Sequence, residues 1–373
     1  MNRTKNMTIS LMDLPGQYKY IEEEVLPEIK KVLASGLYVQ GPKITEFEEN
    51  FAKYCGAKYC IGVSSGTDAL IFALKALNIG IGDEVITVPN TFTATAEAIV
   101  LVGARPVFCD IDPNTQNMDP ESLEKRLTKR TRAVIPVHLH GNPADLDKIY
   151  RICKRKKIAI IEDAAQAHGS IYKGKKIGSH KSDFVCFSFH PVKNLGAFGD
   201  AGAIVTNNKK LAELVRKLIN HGREEHHRHT LIGTTGRLDT IQAAILDIKL
   251  KKLDNWIKSK INLVEYYKEK LNGICKFIDT TPKSESAYHV LAILTTERDE
   301  LAKFLEKYGI ETGMHYPIPL YLQTAYKSLG YKKGDFPNAE KYASQTLTLP
   351  LFPHMKKSQI DYIVDKIKKF NEK

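Results

Sequence analysis

The sequence predicts an α/β protein, with a large domain on a mostly parallel seven-stranded sheet and a smaller α/β domain after it. Seven short β-branched runs alternate with helical stretches between residues 60 and 206, the pattern of a sheet with both faces covered. A long helical stretch without Pro or Gly, Ile241 through Tyr267, then makes a connector to a second domain. At 373 residues the chain suits one large domain plus a smaller one.

Residues 19 to 34 place Ile21, Val25, Ile29, Val32 and Leu33 near helical spacing, and this helix ends at Ser35-Gly36. A loop, Tyr38 to Pro42, follows it. The seven strands are read at Cys60–Val63, Glu84–Val88, Arg105–Asp110, Ala133–His138, Ala159–Glu162, Asp183–Ser188 and Ala203–Thr206. Several open loops with polar or small residues: Ser64-Ser65-Gly66, Pro89-Asn90, Asp163 and Ser188. Ligands of open α/β sheets bind at such carboxyl ends. Beyond the long helix, a strand-like Tyr288–Thr295 and helices near 297–308 and 357–370 make the small domain. The expected division is 1–250 for the large domain with its N-terminal segment and 251–373 for the small one.

The composition, 43% hydrophobic and 26% charged, is that of an ordinary globular protein. The longest apolar stretches, such as Ala98–Val102 and Ile158–Ile161, fall far short of the roughly 20 residues that span a bilayer. The basic start Met1–Lys5 is followed by an apolar run broken at Asp13, Pro15 and Gly16, unlike a signal peptide. A cytoplasmic protein without a membrane segment is expected. The net charge of +12 is spread over many helix faces with no concentrated stripe, which reads as a solvated lysine-rich surface and not as a nucleic-acid site. Six cysteines lie scattered in apolar contexts without paired two-residue spacing, so structural thiols are expected and no metal site.

Chemistry concentrates in four segments. In Ser188-Phe189-His190-Pro191-Val192-Lys193-Asn194-Leu195-Gly196, a lysine in a glycine-rich loop follows a buried strand. Desolvation there lowers an amine's pKa and suits it to a Schiff base, although the segment alone also fits a surface lysine. The Ser188 hydroxyl stands where it can bond a phosphate. In Ile161–His168, Asp163 ends a strand, where a carboxylate can pair with a protonated pyridine nitrogen; it equally suits a helix N-cap. Gln166 lies three residues on. Ser64–Leu70 places Gly66 and Thr67 at a helix N-terminus, whose free N–H groups and dipole favour phosphate. Pro89–Thr95 supplies Phe92 for stacking on a flat ring, with core burial as the default for such a residue.

These signals occur in one order along one chain. Together with Gly36–Pro42, His315-Tyr316-Pro317-Ile318-Pro319 and Leu349-Pro350-Leu351, the sequence resembles the DegT/DnrJ/EryC1/StrS family of sugar aminotransferases over nearly its whole length. The resemblance implies pyridoxal 5'-phosphate as cofactor, in the transferase fold of type I, with pyridoxamine 5'-phosphate formed between two half-reactions. Carried over, the family pattern makes Lys193 the Schiff-base lysine, Asp163 the partner of the pyridine nitrogen and Gln166 a hydrogen bond to the ring hydroxyl. Phe92 would stack on the ring, while Gly66, Thr67 and Ser188 would hold the phosphate. Tyr38, His315 and Tyr316 are expected at the substrate.

The resemblance further implies a homodimer in which Gly233–Asp239 completes the partner's site. Arg237 would contact substrate there and Thr235 the cofactor phosphate, though the family usually has Asn at position 235, with longer reach. A related branch with His at the Schiff-base position dehydrates its sugar; Lys193 favours transamination. His190, three residues earlier, either lines the site or packs beside Phe189. The implied substrates are L-glutamate as amino donor and a nucleotide-linked 3-keto sugar used for surface polysaccharide or other glycans. A UDP-linked 2-acetamido-3-keto-glucuronate and a dTDP-linked 3-keto-6-deoxyhexose are the two candidates, with His226-His227 and Gly233–Leu246 favouring the first. A regulatory protein that kept the fold is a further reading, as is a lyase or aldolase with the same cofactor.

Overall fold

The structure, a computed structural model, describes residues 8–372. The basic start Met1–Lys5 lies outside the described residues. In chain order the strands are β1 (Tyr59–Val63), β2 (Glu84–Thr87), β3 (Arg105–Phe108), β4 (Thr131–Val134), β5 (Ala159–Asp163), the hairpin β6 (Ile171–Tyr172) and β7 (Lys175–Lys176), β8 (Phe184–Ser188) and β9 (Gly202–Thr206). Seven of them form one sheet in the order β1-β9-β8-β5-β4-β2-β3. All seven predicted strands are therefore present in it.

Only β9 runs against its neighbours, antiparallel to both β8 and β1. The carboxyl ends of β1, β5 and β8 consequently share one edge of the sheet, where Gly202 pairs with both Val63 and Ser188. Strand side chains are buried on both faces, as expected where helices cover both. On one face Ile61, Val63, Phe184, Cys186 and Ile204 pack with Leu70, Phe72, Val215 and Leu218. On the other, Val185, Phe187, Ala203 and Val205 meet Phe47, Phe51, Leu246 and Leu253.

The predicted helix at 19–34 is Glu22–Ser35, and it stops at Gly36 because the chain turns there at φ +68°, a conformation glycine adopts without a Cβ penalty. The long helix spans Thr240–Lys270. Its first half packs under the large sheet through Ala243, Leu246 and Leu253, and its last turns join Leu263, Val264 and Tyr267 to a second core.

After the exposed hairpin β10 (Arg223–Glu225) and β11 (Arg228–His229) come β12 (Lys276–Phe277), β13 (Ser284–Glu285), β14 (Leu291–Leu294) and β15 (Thr346–Leu349). β12, β14 and β15 form a three-stranded antiparallel sheet. The second core joins β14 and β15 to the helices Arg298–Lys307 and Lys357–Asn371. It also takes in Ile9, which bridges Ile310 in parallel.

No helix among the described residues is long and apolar enough to cross a membrane. All six cysteines are free, five of them buried. One expectation needs correction: the lysines are not all solvated. Lys249 and Lys260 of the long helix are 1% and 5% exposed.

Candidate active site

The loop after β8 carries Lys193 and is folded by its own backbone, with Lys193 N–H donating to the His190 carbonyl at 2.9 Å and Ala197 N–H to the Phe189 carbonyl at 2.7 Å. Burial lowers the Lys193 amine to about 8, while the Asp163 carboxylate pulls the other way. The long helix braces this loop from below. Lys249 Nζ donates to the Gly196 carbonyl at 2.5 Å, and Lys260 Nζ donates to Asn194 Oδ1 and to the His289 carbonyl, both at 2.9 Å. Asn194 Nδ2 in turn donates to the Ala287 carbonyl at 2.9 Å. Burial brings the Lys260 amine down to about 7.

Asp163 ends β5 and is buried. Its Oδ2 accepts from Thr95 Oγ at 2.7 Å and its Oδ1 from the Ala165 N–H at 3.1 Å. Gln166 Oε1 accepts from the His140 N–H at 2.6 Å, which leaves its Nε2 to face the Tyr316 hydroxyl at 3.3 Å. Burial and the Asp163 charge push the Tyr316 phenol up, so it stays a neutral donor. Phe92 leans on Tyr316 with ring centroids 5.9 Å apart. It is 56% exposed, so the default of core burial does not hold and its face is open.

At the end of β1, Ser65 caps the helix Gly66–Ala76 and accepts from the Asp68 N–H at 3.0 Å. Gly66 and Thr67 open that helix beside Ser188. A Cβ on residue 66 would stand 2.5 Å from Ser188 Cβ, so only glycine leaves room between the helix start and the serine. His190 is exposed on the loop and does not pack in the core beside Phe189.

Three histidines surround the amine and are held neutral. Burial and the Lys193 charge bring His168 to about 3 and His315 to about 4, and push His289 well down. His315 Nδ1 meets Thr348 Oγ at 2.8 Å, and its carbonyl accepts from the Tyr342 hydroxyl at 2.7 Å. Lys193, Asp163, Gln166, Phe92, Ser188, Gly66, Thr67, His315 and Tyr316 thus gather at one edge of the sheet.

Tyr38, Thr235 and Arg237 form a second group. Loop and segment run side by side, with bridges Val39 to Asp239 and Val63 to Arg237. Arg237 Nη1 donates to Asn220 Oδ1 at 2.8 Å, Thr235 Oγ meets His221 Nε2 at 2.7 Å, and the exposed Tyr38 hydroxyl donates to the Leu33 carbonyl at 3.2 Å. No hydrogen bond among the described residues joins these three to the Lys193 loop. Sequence reasoning missed Thr95, Lys249, Asn194 and Lys260. The Thr-Phe-Thr-Ala-Thr run held a signal for the first, since Thr91 and Thr95 fall on one helical face.

The residues present fit pyridoxal phosphate. A glycine-opened helix N-terminus with a serine hydroxyl suits the phosphate, a buried carboxylate with a free lone pair suits a pyridinium, and a desolvated amine suits the aldehyde. Fold and donor set define a pyridoxal-phosphate-dependent aminotransferase of fold type I. The chain belongs to the DegT/DnrJ/EryC1/StrS aminotransferase family, whose model matches residues 19–368. Solved structures similar to this chain include cofactor-bound pyridoxal-phosphate and pyridoxamine-phosphate forms.

The "Pleiotropic regulatory protein" of Geobacillus stearothermophilus is 43% identical over 98% of this chain and 99% of its own length. A dTDP-3-amino-3,4,6-trideoxy-alpha-D-glucose transaminase of Streptomyces venezuelae is 40% identical over 100% and 98%. The UDP-2-acetamido-2-deoxy-3-oxo-D-glucuronate aminotransferase of Pseudomonas aeruginosa is 40% identical over 95% and 98%. Among solved structures, S. venezuelae DesV in complex with a ketimine intermediate superposes with a TM-score of 0.96 at 40% identity, covering 98% of this chain and 99% of that one.

Proposed function

We propose that this aminotransferase moves the amino group of L-glutamate to the keto carbon of a nucleotide-linked 3-keto sugar, with UDP-2-acetamido-2-deoxy-3-ketoglucuronate as the leading substrate, for glycan biosynthesis in the cytoplasm. The observation that carries the reading is the desolvated Lys193 amine gathered at one sheet edge with Asp163 and Gln166. Pyridoxal phosphate supplies an electron sink that stabilises negative charge at the carbon next to nitrogen. Lys193 would hold it, and its Nζ would take and return the proton at that carbon. Asp163 would pair with the ring nitrogen, Gln166 Nε2 would donate to the ring hydroxyl and Phe92 would cover the ring face. The Gly66 and Thr67 amides, with the Ser188 hydroxyl, would hold the phosphate.

His315 and Tyr316 face the substrate from the same subunit. Tyr38, Thr235 and Arg237 reach the site of the partner in a homodimer, which accounts for their grouping apart from Lys193. The guanidinium of Arg237 suits a sugar carboxylate or diphosphate. The domain boundary falls within the long helix, near residue 250. The six unpaired thiols support a reducing compartment.

The similarity to the P. aeruginosa enzyme supports the uronate, and that to the S. venezuelae transaminase supports a dTDP-linked 3-keto-6-deoxyhexose as the alternative. The test is turnover of purified protein with glutamate and a panel of 3-keto and 4-keto nucleotide sugars. Amination at C3 of the UDP uronate, followed by mass and NMR, is the expected result. Turnover confined to 4-keto sugars would overturn it, and loss of glutamate-dependent turnover with every sugar would favour a regulatory role.

A further inference from the structure

The Asp163 carboxylate is not served by backbone alone. Thr95 Oγ lies 2.7 Å from Asp163 Oδ2, and Thr91 Oγ lies 3.1 Å from Thr95 Oγ. All three side chains are buried, Thr95 completely. An ionised carboxylate can only accept, so the single Thr95 proton points at Asp163 and Thr91 must donate to Thr95. The two hydroxyls are thereby fixed in one direction. They sit on the turn that presents Phe92, since Thr95 N–H donates to the Phe92 carbonyl at 3.3 Å.

We propose that Thr95, backed by Thr91, is a positioning residue that donates to the Asp163 carboxylate and holds it aimed, and so sets the protonation of the cofactor's ring nitrogen. The proposal rests on the reading that Asp163 pairs with that nitrogen. A hydrogen bond to the charged form of a buried carboxylate lowers its proton affinity. Without it, the proton shared between ring nitrogen and carboxylate moves toward Asp163, and the ring withdraws electrons less strongly. The titratable groups coupled to Asp163 by charge are Lys193, Tyr316 and Cys186. Of these, Tyr316 and Cys186 are held neutral by burial, so the hydroxyl chain, the Ala165 N–H and the Lys193 amine are what balance the carboxylate.

The experiment loads apoenzyme with pyridoxal phosphate labelled with nitrogen-15 in the ring and reads the ring-nitrogen shift in wild type, Thr95→Val, Thr95→Ser and Asp163→Asn. Valine keeps the shape of threonine without its donor. The expected result is a shift toward the unprotonated position in Thr95→Val, restored in Thr95→Ser, with kcat down about tenfold and KM for the amino donor little changed, the scale of one bond to a charged group. Asp163→Asn should move the signal further. An unmoved signal in Thr95→Val, with or without a lower melting temperature, would overturn the role of Thr95 alone. An unmoved signal in Asp163→Asn would instead overturn the pairing on which the proposal rests.

Discussion

The state of Lys193 can be tested through its pH dependence. Burial lowers its amine from the ordinary 10.5 to about 8. At pH 7 about one amine in ten is then free base, against about three in ten thousand for an unperturbed lysine, a gain of about 300-fold in nucleophile. Stopped-flow absorbance of apoenzyme mixed with pyridoxal phosphate reads this directly. The capture rate should rise about tenfold per pH unit and level off above about pH 8. Because the Asp163 carboxylate raises the amine's pKa, Asp163→Asn should bring the plateau to lower pH. A rate still climbing near pH 10, or a plateau moved upward by Asp163→Asn, would refute the reasoning.

Three further outcomes follow from the geometry. Lys260 binds fewer protons folded than unfolded between about 7 and its ordinary 10.5, so wild-type stability should gain with pH across that window more than that of Lys260→Met, as urea titrations at several pH values would show. A parallel pH dependence in the two proteins would mean that Lys260 stays charged. Gly66→Ala places a Cβ 2.5 Å from Ser188 Cβ and should weaken pyridoxal-phosphate binding about tenfold or more with the fold retained, measured by fluorescence titration of apoenzyme; unchanged affinity would remove the phosphate from this cradle. Mixing inactive Lys193→Ala with inactive Arg237→Ala subunits should restore activity, because one mixed site keeps both residues. Failure to complement, despite proven subunit exchange, would argue that Arg237 serves its own subunit.

The sheet was legible because its strands are short apolar runs between polar loop openers, so six of the seven could be read within a residue or two, while the fourth, read to His138, ends at Val134. Their order was not, since the pairing of β9 with β1 is a contact across more than a hundred residues of chain. Thr346–Leu349 carries alternating threonines and leucines and is buried, yet the helix Pro337–Gln345 runs into it with no break between them. At the site, Lys193, Asp163 and Gln166 stood out by position after strands and by family likeness. Lys249 and Lys260 did not, because a lysine on a long helix reads as solvated until the helix is seen passing beneath the loop it supports. Thr95 was hidden for a similar reason: its partner is a side chain 68 residues away.

The bridge from Ile9 to Ile310 has a consequence for the order of events on the ribosome. The partner of Ile9 is made about 300 residues later, which at about 5 to 20 residues per second is a wait of roughly 15 to 60 seconds. The large sheet is complete by Thr206, long before then. Residues around Ile9 therefore emerge before the large sheet yet settle among the last, against a core whose final helix begins only at Lys357. A nascent chain stalled once the long helix Thr240–Lys270 has emerged should present a folded sheet with the apolar segment around Ile9 still awaiting its place, the state in which a chaperone that grips short apolar stretches would find this protein.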